Sequence, residues 1–300
     1  MKKSVVHISI FCILAGLVLP GCREEERTCP EGVTILQPPY DNPIWHPEGS
    51  VIGYNHRPIK EIRYRFGVEC PLAAEYTYDD DNAGFWLVNA DGTNPHRIWP
   101  EILANPAWSP DGEWILFDQN SQIFKMRFED GNFDQSSRVQ LTEAGVSSLQ
   151  SAWSPDGNRI AYASNADDPN SIFNIWLMNE DGSGKTKLVQ NSTPIISNLG
   201  MPHWLNADSV VSVAYQGGFG NFGNKLIMNN LVNDDETSIL VALKLASPKK
   251  APGKGLISFL AAREGMERES QHLSTIELGT KKTTRVIPGR CMELQLVSGW

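Results

Sequence analysis

The pentapeptide Trp-Ser-Pro-Asp-Gly occurs twice in this chain, at residues 108–112 and 153–157. Each copy precedes a short apolar segment and then a second Asp-Gly pair, at residues 130–131 and 181–182. A unit of about forty residues built of strands and turns cannot bury its apolar face alone, so it must stack against its neighbours. The repeat therefore predicts a propeller or a solenoid.

Looser copies of the unit lie on both sides of these two. They are the segments PIWHPEGSVIGYN (43–55), PHWLNADSVVSVAY (202–215) and LASPKKAPGKGLISFLA (245–261). The segment GFWLVNADGTNPHRI (84–98) closes the first of them with another Asp-Gly pair. Five repeats are visible in all, and the insertions between them vary in length while the core of the unit stays constant.

Turn chemistry explains the pentapeptide without catalysis. Its proline presets φ at the first corner, its aspartate bonds nearby backbone, and its glycine can adopt a positive φ. The Asp-Gly pairs are hairpin signals by the same logic. Four strands in an antiparallel meander, repeated radially, form the blade of a propeller. We therefore assign a structural turn role to Pro110, Asp111, Gly112, Pro155, Asp156 and Gly157.

These motifs resemble the WD-like repeats of TolB-type β-propellers, over about residues 43–287. The resemblance implies an all-β fold of four-stranded antiparallel blades. We predict six blades, the last an irregular one assembled from residues 33–36 and 293–297, with a five-bladed disc as the alternative. Propellers with such blades serve many unrelated functions, so the motif identifies the fold and not the activity.

The start of the chain predicts export. Two lysines precede a short apolar run that ends in Leu-Pro-Gly-Cys22, which resembles a bacterial lipobox. We predict a lipoprotein signal peptide over residues 1–21, a lipidated flexible tether over 22–39 with Cys22 as the lipid anchor, and the propeller over 40–300. Ordinary secretion with cleavage near the same place is the alternative.

The acidic run at residues 24–26 has two interpretations. It is either a solvated tether or, by resemblance to some Bacteroidota lipoproteins, a signal for export to the outer surface. We predict an outer membrane lipoprotein facing either the periplasm or the cell exterior, which contacts the membrane through its lipid only.

Charge and cysteine content limit the remaining possibilities. The formal net charge is −9 and no basic patch is evident, which argues against nucleic acid as a partner. Cys29, Cys70 and Cys291 remain after removal of the signal peptide and lipidation of Cys22. A disulfide could join Cys29 to Cys70 or to Cys291, and the spacing does not choose between them. Histidines are not clustered, so we expect no metal and no cofactor.

The long insertions all fall between second and third strands or between blades, so they share the face opposite the Asp-Gly turns. Such loops are commonly functional. The largest insertion spans residues 55–83. The candidate ligand-contacting residues on this face are Tyr76, Tyr78, Asp79, Trp99, Phe219, Phe222 and Arg263.

No catalytic residue is assigned, because the sequence lacks the G-x-S-x-G elbow of the hydrolases that carry propellers. By resemblance to TolB, we predict a monomeric, non-enzymatic binding or scaffold protein whose partner is another envelope protein. One alternative is a carbohydrate-active propeller, similar to oligosaccharide lyases with a metal in the central funnel. Another is a surface protein that binds glycan without chemistry.

Overall fold

The computed structural model describes residues 40–66, 71–168, 170–189, 196–216, 224–233, 235–242, 244–250, 255–262 and 272–285. Within these ranges the regular elements are all strands, which confirms the predicted all-β class. The described residues divide into two compact units, a hairpin over residues 59–78 and the blades over the remainder.

The described strands follow one another in this order: β1 (Tyr40–Trp45), β2 (Val51–His56), β3 (Ile59–Phe66), β4 (Pro71–Tyr78), β5 (Gly84–Asn89), β6 (His96–Trp99), β7 (Ala104–Trp108), β8 (Trp114–Gln119), β9 (Gln122–Glu129), β10 (Asn132–Gln140), β11 (Ser148–Trp153), β12 (Arg159–Ser164), β13 (Asn174–Asn179), β14 (Thr186–Val189), β15 (Ile196–Asn206), β16 (Ser209–Gln216), β17 (Asn224–Asn230), β18 (Glu236–Ala242), β19 (Lys244–Lys250), β20 (Leu256–Ala262), β21 (His272–Glu277) and β22 (Thr283–Arg285).

Twenty of these strands form five four-stranded antiparallel sheets, the blades of a β-propeller. Blade 1 is β1-β2-β5-β6, and blades 2 to 5 are β7 to β10, β11 to β14, β15 to β18 and β19 to β22. The five visible repeats of the sequence thus correspond to five blades. The segments predicted to build a sixth blade, 33–36 and 293–297, lie outside the described residues, so that blade stays a prediction.

The hydrophobic core lies between successive blades. Phe85 of blade 1 and Ile115 of blade 2 belong to one buried cluster, and Val211 of blade 4 and Ile257 of blade 5 belong to another. Second strands such as β8 are apolar and buried over several consecutive residues, because both faces of a blade are covered by neighbouring blades. The propeller is therefore stabilised mainly by apolar side chains buried between neighbouring blades.

The first strand of each of blades 1 to 4 contains a β-bulge at the same place. The ladder to the second strand shifts register there. One residue of each bulge, three positions before the repeat tryptophan, adopts a positive φ of about 50° to 60°; these residues are Asn42, Asn105, Gln150 and Met201. A recurrent bulge redirects the strand, so the repetition reflects blade architecture and not local irregularity.

The second unit is the hairpin of β3 and β4, which pair antiparallel within the insertion at residues 55–83. The sequence predicted a long loop here, but the segment contains two eight-residue strands. Tyr76 and Tyr78 lie on the same side of β4, and their rings stack with centroids 6.3 Å apart. The insertion therefore presents an ordered aromatic pair.

Candidate functional site

The Asp-Gly turns occupy one face of the propeller, called here the turn face, because they join first to second and third to fourth strands. In blade 3, Ser154 Oγ donates to Asp156 Oδ1 at 2.6 Å, and the Asn158 N–H donates to the same carboxylate at 3.2 Å. Gly157 closes the turn with a φ of 75°. Hydrogen bonding from the Ser154 hydroxyl lowers the pKa of Asp156. The polar residues of this turn thus satisfy one another.

The turn between third and fourth strands is closed in a similar way. In blade 3, the hydroxyl and N–H of Ser183 both donate to Asp181 Oδ1, which lowers the pKa of that carboxyl. In blade 1, Thr93 bonds Asp91 identically and lowers its pKa. These aspartates hold their own turns.

Each repeat tryptophan of blades 3 and 4 connects its blade to the preceding one. Trp153 Nε1 donates to the Ala107 carbonyl of blade 2 at 3.2 Å, and Trp204 Nε1 donates to the Ala152 carbonyl of blade 3 at 3.1 Å. In both pairs the acceptor is the residue just before the preceding repeat tryptophan. The tryptophan of the motif is therefore a connector between blades.

Blades 1 and 2 meet differently. Trp108 is buried, yet its Nε1 has no hydrogen-bond partner among the described residues. His46 of blade 1 instead packs edge-on against the Trp108 ring, with centroids 5.0 Å apart, and its Nε2 lies 3.2 Å from the Gly112 carbonyl oxygen. His46 therefore joins blades 1 and 2 as a structural residue.

A polar side chain on the second strand also connects blades 1 and 2. Asn55 donates from Nδ2 to the Leu103 carbonyl at 2.8 Å and accepts from the Leu103 N–H at 3.0 Å. Both partners lie on the segment that leads into blade 2. Asn55 thus fixes the entry of the next blade.

Asp118 has the place in blade 2 that Asn55 has in blade 1. Each lies three residues after the residue that pairs with the repeat tryptophan of its blade. Asp118 Oδ2 accepts from Asn105 Nδ2 at 2.6 Å and from the Gln150 N–H of blade 3 at 2.8 Å. Its Oδ1 is buried and has no partner among the described residues. Burial raises the pKa of this carboxyl to about 7. Asp118 is thus a buried acid that holds two blades together, a role that sequence reasoning missed.

The opposite face, called here the loop face, carries the connections between second and third strands and between blades. At the insertion of blade 1, the Asp79 N–H donates to the Pro58 carbonyl at 2.8 Å. Arg57 and Asp80 form an exposed ion pair beside this bond, at 3.1 Å. Asn82 Nδ2 donates to Asp79 Oδ2 at 2.8 Å, so Asp79 also orders the return of the chain into blade 1.

Trp99 does not lie on the loop face, where the sequence analysis placed it. Only 7% of the residue is exposed, and its ring packs in the cluster shared by blades 1 and 2, with its centroid 6.2 Å from that of Phe133. It is a core residue and presents no free ring on the loop face. The sequence predicted that Trp99 lies in a connection between blades, but it is the last residue of β6.

The structure describes only some of the remaining candidate residues. Tyr76 and Tyr78 are half-buried in the hairpin. Several residues singled out from the sequence lie outside the described residues: Phe219, Phe222, Arg263, Cys22, Cys29, Cys70 and Cys291. In the described part of the chain, no three His, Cys, Asp or Glu side chains come together as a metal site would require. The same part contains no helix of the length and apolarity needed to cross a membrane.

No protein-family model matches the chain. A stretch of 120 residues is 32% identical to the Tol-Pal system protein TolB of Anaeromyxobacter dehalogenans strain 2CP-C, and the same holds for TolB of Anaeromyxobacter sp. strain K. The match covers 38% of this chain and 25% of each relative, so it spans about a quarter of their length.

Among solved structures, TolB from Acinetobacter baumannii superposes with a TM-score of 0.56 at 16% identity, over 82% of this chain and 53% of that chain. Puromycin hydrolase superposes with a TM-score of 0.52 at 15% identity, over 84% of this chain and 38% of that one. The nidogen/laminin complex gives 0.52 at 13% identity, over 81% and 78%. The range of these proteins shows that the similarity concerns the fold. The chain contains a TolB-like β-propeller.

Proposed function

We propose that this protein is a lipid-anchored propeller of the bacterial cell envelope that binds another envelope protein through its loop-face elements, without catalysing a reaction. The similarity to a Tol-Pal system protein supports an envelope location and a protein partner. The lipobox-like sequence before Cys22 supports the lipid anchor. The choice between the periplasm and the cell exterior depends on how the acidic run at 24–26 acts.

The ordered insertion of blade 1 is the observation that carries this proposal. On the turn face, polar side chains such as Asp156 and Asp181 are engaged within their own turns. The insertion differs, because it places two stacked tyrosines, Tyr76 and Tyr78, on one side of a strand. Tyrosine combines a large apolar ring with a polar tip and is enriched where proteins bind one another.

Site-specific photo-crosslinking in living cells tests the proposal. A photoreactive phenylalanine analogue replaces Tyr78 in one strain and Thr93, an exposed residue of a turn-face hairpin, in a second. We expect a discrete protein adduct from the first position and none from the second. Equal adducts from both positions, or none from either, would contradict binding through the hairpin.

A quantitative form of the experiment uses the purified adduct partner. Replacing Tyr76 and Tyr78 together by alanine should weaken binding at least about ten-fold, since aromatic residues at the centre of an interface contribute about 2 kcal/mol or more. The matched control replaces Thr93 by alanine and should bind as the wild type does. Binding to an oligosaccharide, lost in the same tyrosine variant and without any protein adduct, would instead favour the glycan-binding alternative.

Proteinase treatment of intact and lysed cells decides the orientation. Digestion in intact cells would place the protein outside and support the export role of residues 24–26. Protection until lysis would place it in the periplasm and contradict that role.

A further inference from the structure

Blade 5 departs from the other blades at the repeat-tryptophan position, defined by Trp45, Trp108, Trp153 and Trp204. In the ladders of blades 3 and 4, Trp153 pairs with Ile160 and Trp204 pairs with Val210. The residue with this place in blade 5 is Lys250, which pairs with Ile257. Lys250 is exposed, so the indole that fills the interface in blades 3 and 4 is missing from the interface between blades 4 and 5.

A cleft of about 370 Å³ lies where that indole is missing. It is lined by Leu205, Asn206, Ser209 and Met228 of blade 4 and by Lys250, Gly255 and Leu278 of blade 5. The lining is part apolar and part polar, and the cleft opens on the turn face, beside the connection that follows β15.

The lining residues correspond to the residues that surround Trp204 one interface earlier. In blade 4, Met228 pairs with Val211, as Leu177 pairs with Ala161 in blade 3. Leu177 packs in the cluster that contains Trp204, so Met228 has the matching place beside the cleft.

The blade 5 side of the cleft also corresponds to the blade 4 side of the Trp204 interface. Leu278 donates its N–H to the Gly255 carbonyl as Leu231 does to the Asp208 carbonyl. Leu231 packs in the Trp204 cluster, so Leu278 occupies the matching place beside the cleft.

Arg159 shows what covers the ring at an occupied position. Its guanidinium lies 4.9 Å from the Trp204 ring centroid, and its Nη2 donates to the Ala207 carbonyl of blade 4 at 2.6 Å. The residue with the place of Arg159 in blade 4 is the much smaller Ser209. Among the described residues, the cleft therefore has neither the tryptophan nor the side chain that would cover it.

The mouth of the cleft is cationic. Lys250 lines the cleft, is exposed and forms no ion pair with a described residue. Lys249 precedes it on the strand, and burial lowers the pKa of its ammonium group. Burial and these two ammonium groups lower the pKa of the neighbouring His203 to about 3, so the imidazole is neutral at physiological pH. An acidic group beside the cleft would meet the ammonium group of Lys250.

We propose that the cleft between blades 4 and 5 binds a tryptophan side chain of a partner protein, presented next to acidic residues. The inserted indole would pack on Met228 and Leu278 as Trp204 lies among Leu177 and Leu231, and an acidic residue beside it would pair with Lys250. The His203 carbonyl has the place of the Ala107 and Ala152 carbonyls that accept from Trp153 and Trp204. This site lies on the turn face and does not depend on the function proposed for the loop-face elements.

Fluorescence anisotropy of a labelled peptide tests the proposal on the full chain. The probe is a fluorescein-labelled Gly-Ser peptide with one tryptophan between two glutamates, and the matched peptide has alanine in place of the tryptophan. We expect the tryptophan peptide to bind at least about ten-fold more tightly, as for an aromatic anchor in a pocket. Equal binding of the two peptides, or no binding of either, would overturn the proposal.

Two substitutions at one position separate filling of the cleft from loss of charge. Lys250→Trp supplies the missing indole, and it should abolish binding while raising the melting temperature. Lys250→Ala removes the same charge but leaves the cleft empty, so it should weaken binding no more than about five-fold, the range of an exposed ion pair. Wild-type affinity in Lys250→Trp would overturn the proposal.

Two further readouts complete the test. If Lys250→Trp fails to fold, Ser209→Arg provides the side chain that Arg159 supplies at the Trp204 position and should weaken binding at least about ten-fold by covering the cleft. Unchanged binding in that variant would contradict the assignment. A wild-type dimer in light scattering that is lost in Lys250→Ala would assign the cleft to a second copy of this chain, and would contradict a foreign partner.

Discussion

The interface between blades 3 and 4 and the interface between blades 4 and 5 are built on the same plan, but they differ at the tryptophan position and at the residue that covers its ring. In the first, Trp204 is 3% exposed, its indole bonds the preceding blade and Arg159 lies over its ring. In the second, Lys250 takes the tryptophan place and a cleft remains. The comparison teaches that the repeat tryptophan is what closes an interface between blades, so a repeat without it marks an opening.

The largest effect is expected when the closed interface is opened. Trp204→Ala removes a buried indole, its bond to Ala152 and its contact with Arg159. It should therefore lower the free energy of unfolding by about 3–5 kcal/mol. Urea denaturation followed by far-ultraviolet circular dichroism measures this. Trp45→Ala is the matched control, because Trp45 is 59% exposed, and it should cost less than about 1 kcal/mol. Similar losses in the two variants would contradict the role assigned to the tryptophan.

A smaller effect is expected at the interface between blades 1 and 2, where His46 packs on Gly112. Both Gly112 and Gly157 have a positive φ, which costs an alanine about 1–2 kcal/mol. A Cβ on Gly112 would also meet the His46 ring at 2.5 Å, whereas on Gly157 its nearest neighbour is Pro110 at 3.7 Å. Gly112→Ala should therefore destabilise the protein by about 1 kcal/mol more than Gly157→Ala. Equal thermal denaturation midpoints would argue against the His46 contact.

The interface between blades 2 and 3 should depend on pH through Asp118. Its pKa rises from 3.8 to about 7 on folding, so between these values the folded protein binds a proton that the unfolded chain has lost. Stability from this group is therefore present at low pH and decreases as pH rises towards 7, by at most about 1.4 kcal/mol per pH unit.

Asp118→Asn should flatten that decrease, because its amide oxygen can still accept from Asn105 and Gln150 while its amino group replaces the unpartnered Oδ1. Urea denaturation of wild type and variant at about pH 5 and about pH 7 gives the comparison, with an expected difference of about 1 kcal/mol or more. Parallel profiles would show that the carboxyl stays ionised in the folded protein.

The smallest expected effect on stability comes from the hydrogen bond of a single indole N–H. Trp153→Phe and Trp108→Phe remove similar volumes, but among the described residues only the Trp153 indole, and not that of Trp108, has a hydrogen-bond acceptor. The first should cost about 1 kcal/mol more than the second, the usual value of such a bond. Chemical denaturation of both variants checks this, and a larger loss at Trp108 would contradict the assigned partners.

The sequence predicted the repeated fold well because its information is local. Proline, aspartate and glycine at fixed spacing determine the turn of residues 108–112, and the apolar run after it determines β8. The same reasoning predicted an all-β propeller of six blades, and five of these, one for each visible repeat, lie in the described residues. The hairpin at residues 59–78 was missed, although its Arg63, Arg65, Tyr76 and Tyr78 alternate with other residues as strands require.

The candidate sites were harder to predict because they depend on contacts between blades. Lys250 has the tryptophan place only through its ladder with Ile257, and the fifth repeat retains too little of the motif to align it by sequence. Trp99 was assigned to a surface, yet Phe133 and the rest of the core cover it. Asp118 did carry a signal, since an acid within the apolar segment of β8 requires a hydrogen-bonding partner.

Hydrogen exchange of the tryptophan indole N–H groups, followed by nuclear magnetic resonance on protein labelled with ¹⁵N-tryptophan, tests the comparison most directly. Single Trp→Phe variants assign the signals. If the repeat tryptophans close the interfaces between blades, the indoles of Trp153 and Trp204 exchange slowly and that of Trp45 exchanges fast. Exchange at Trp204 as fast as at Trp45 would contradict the account.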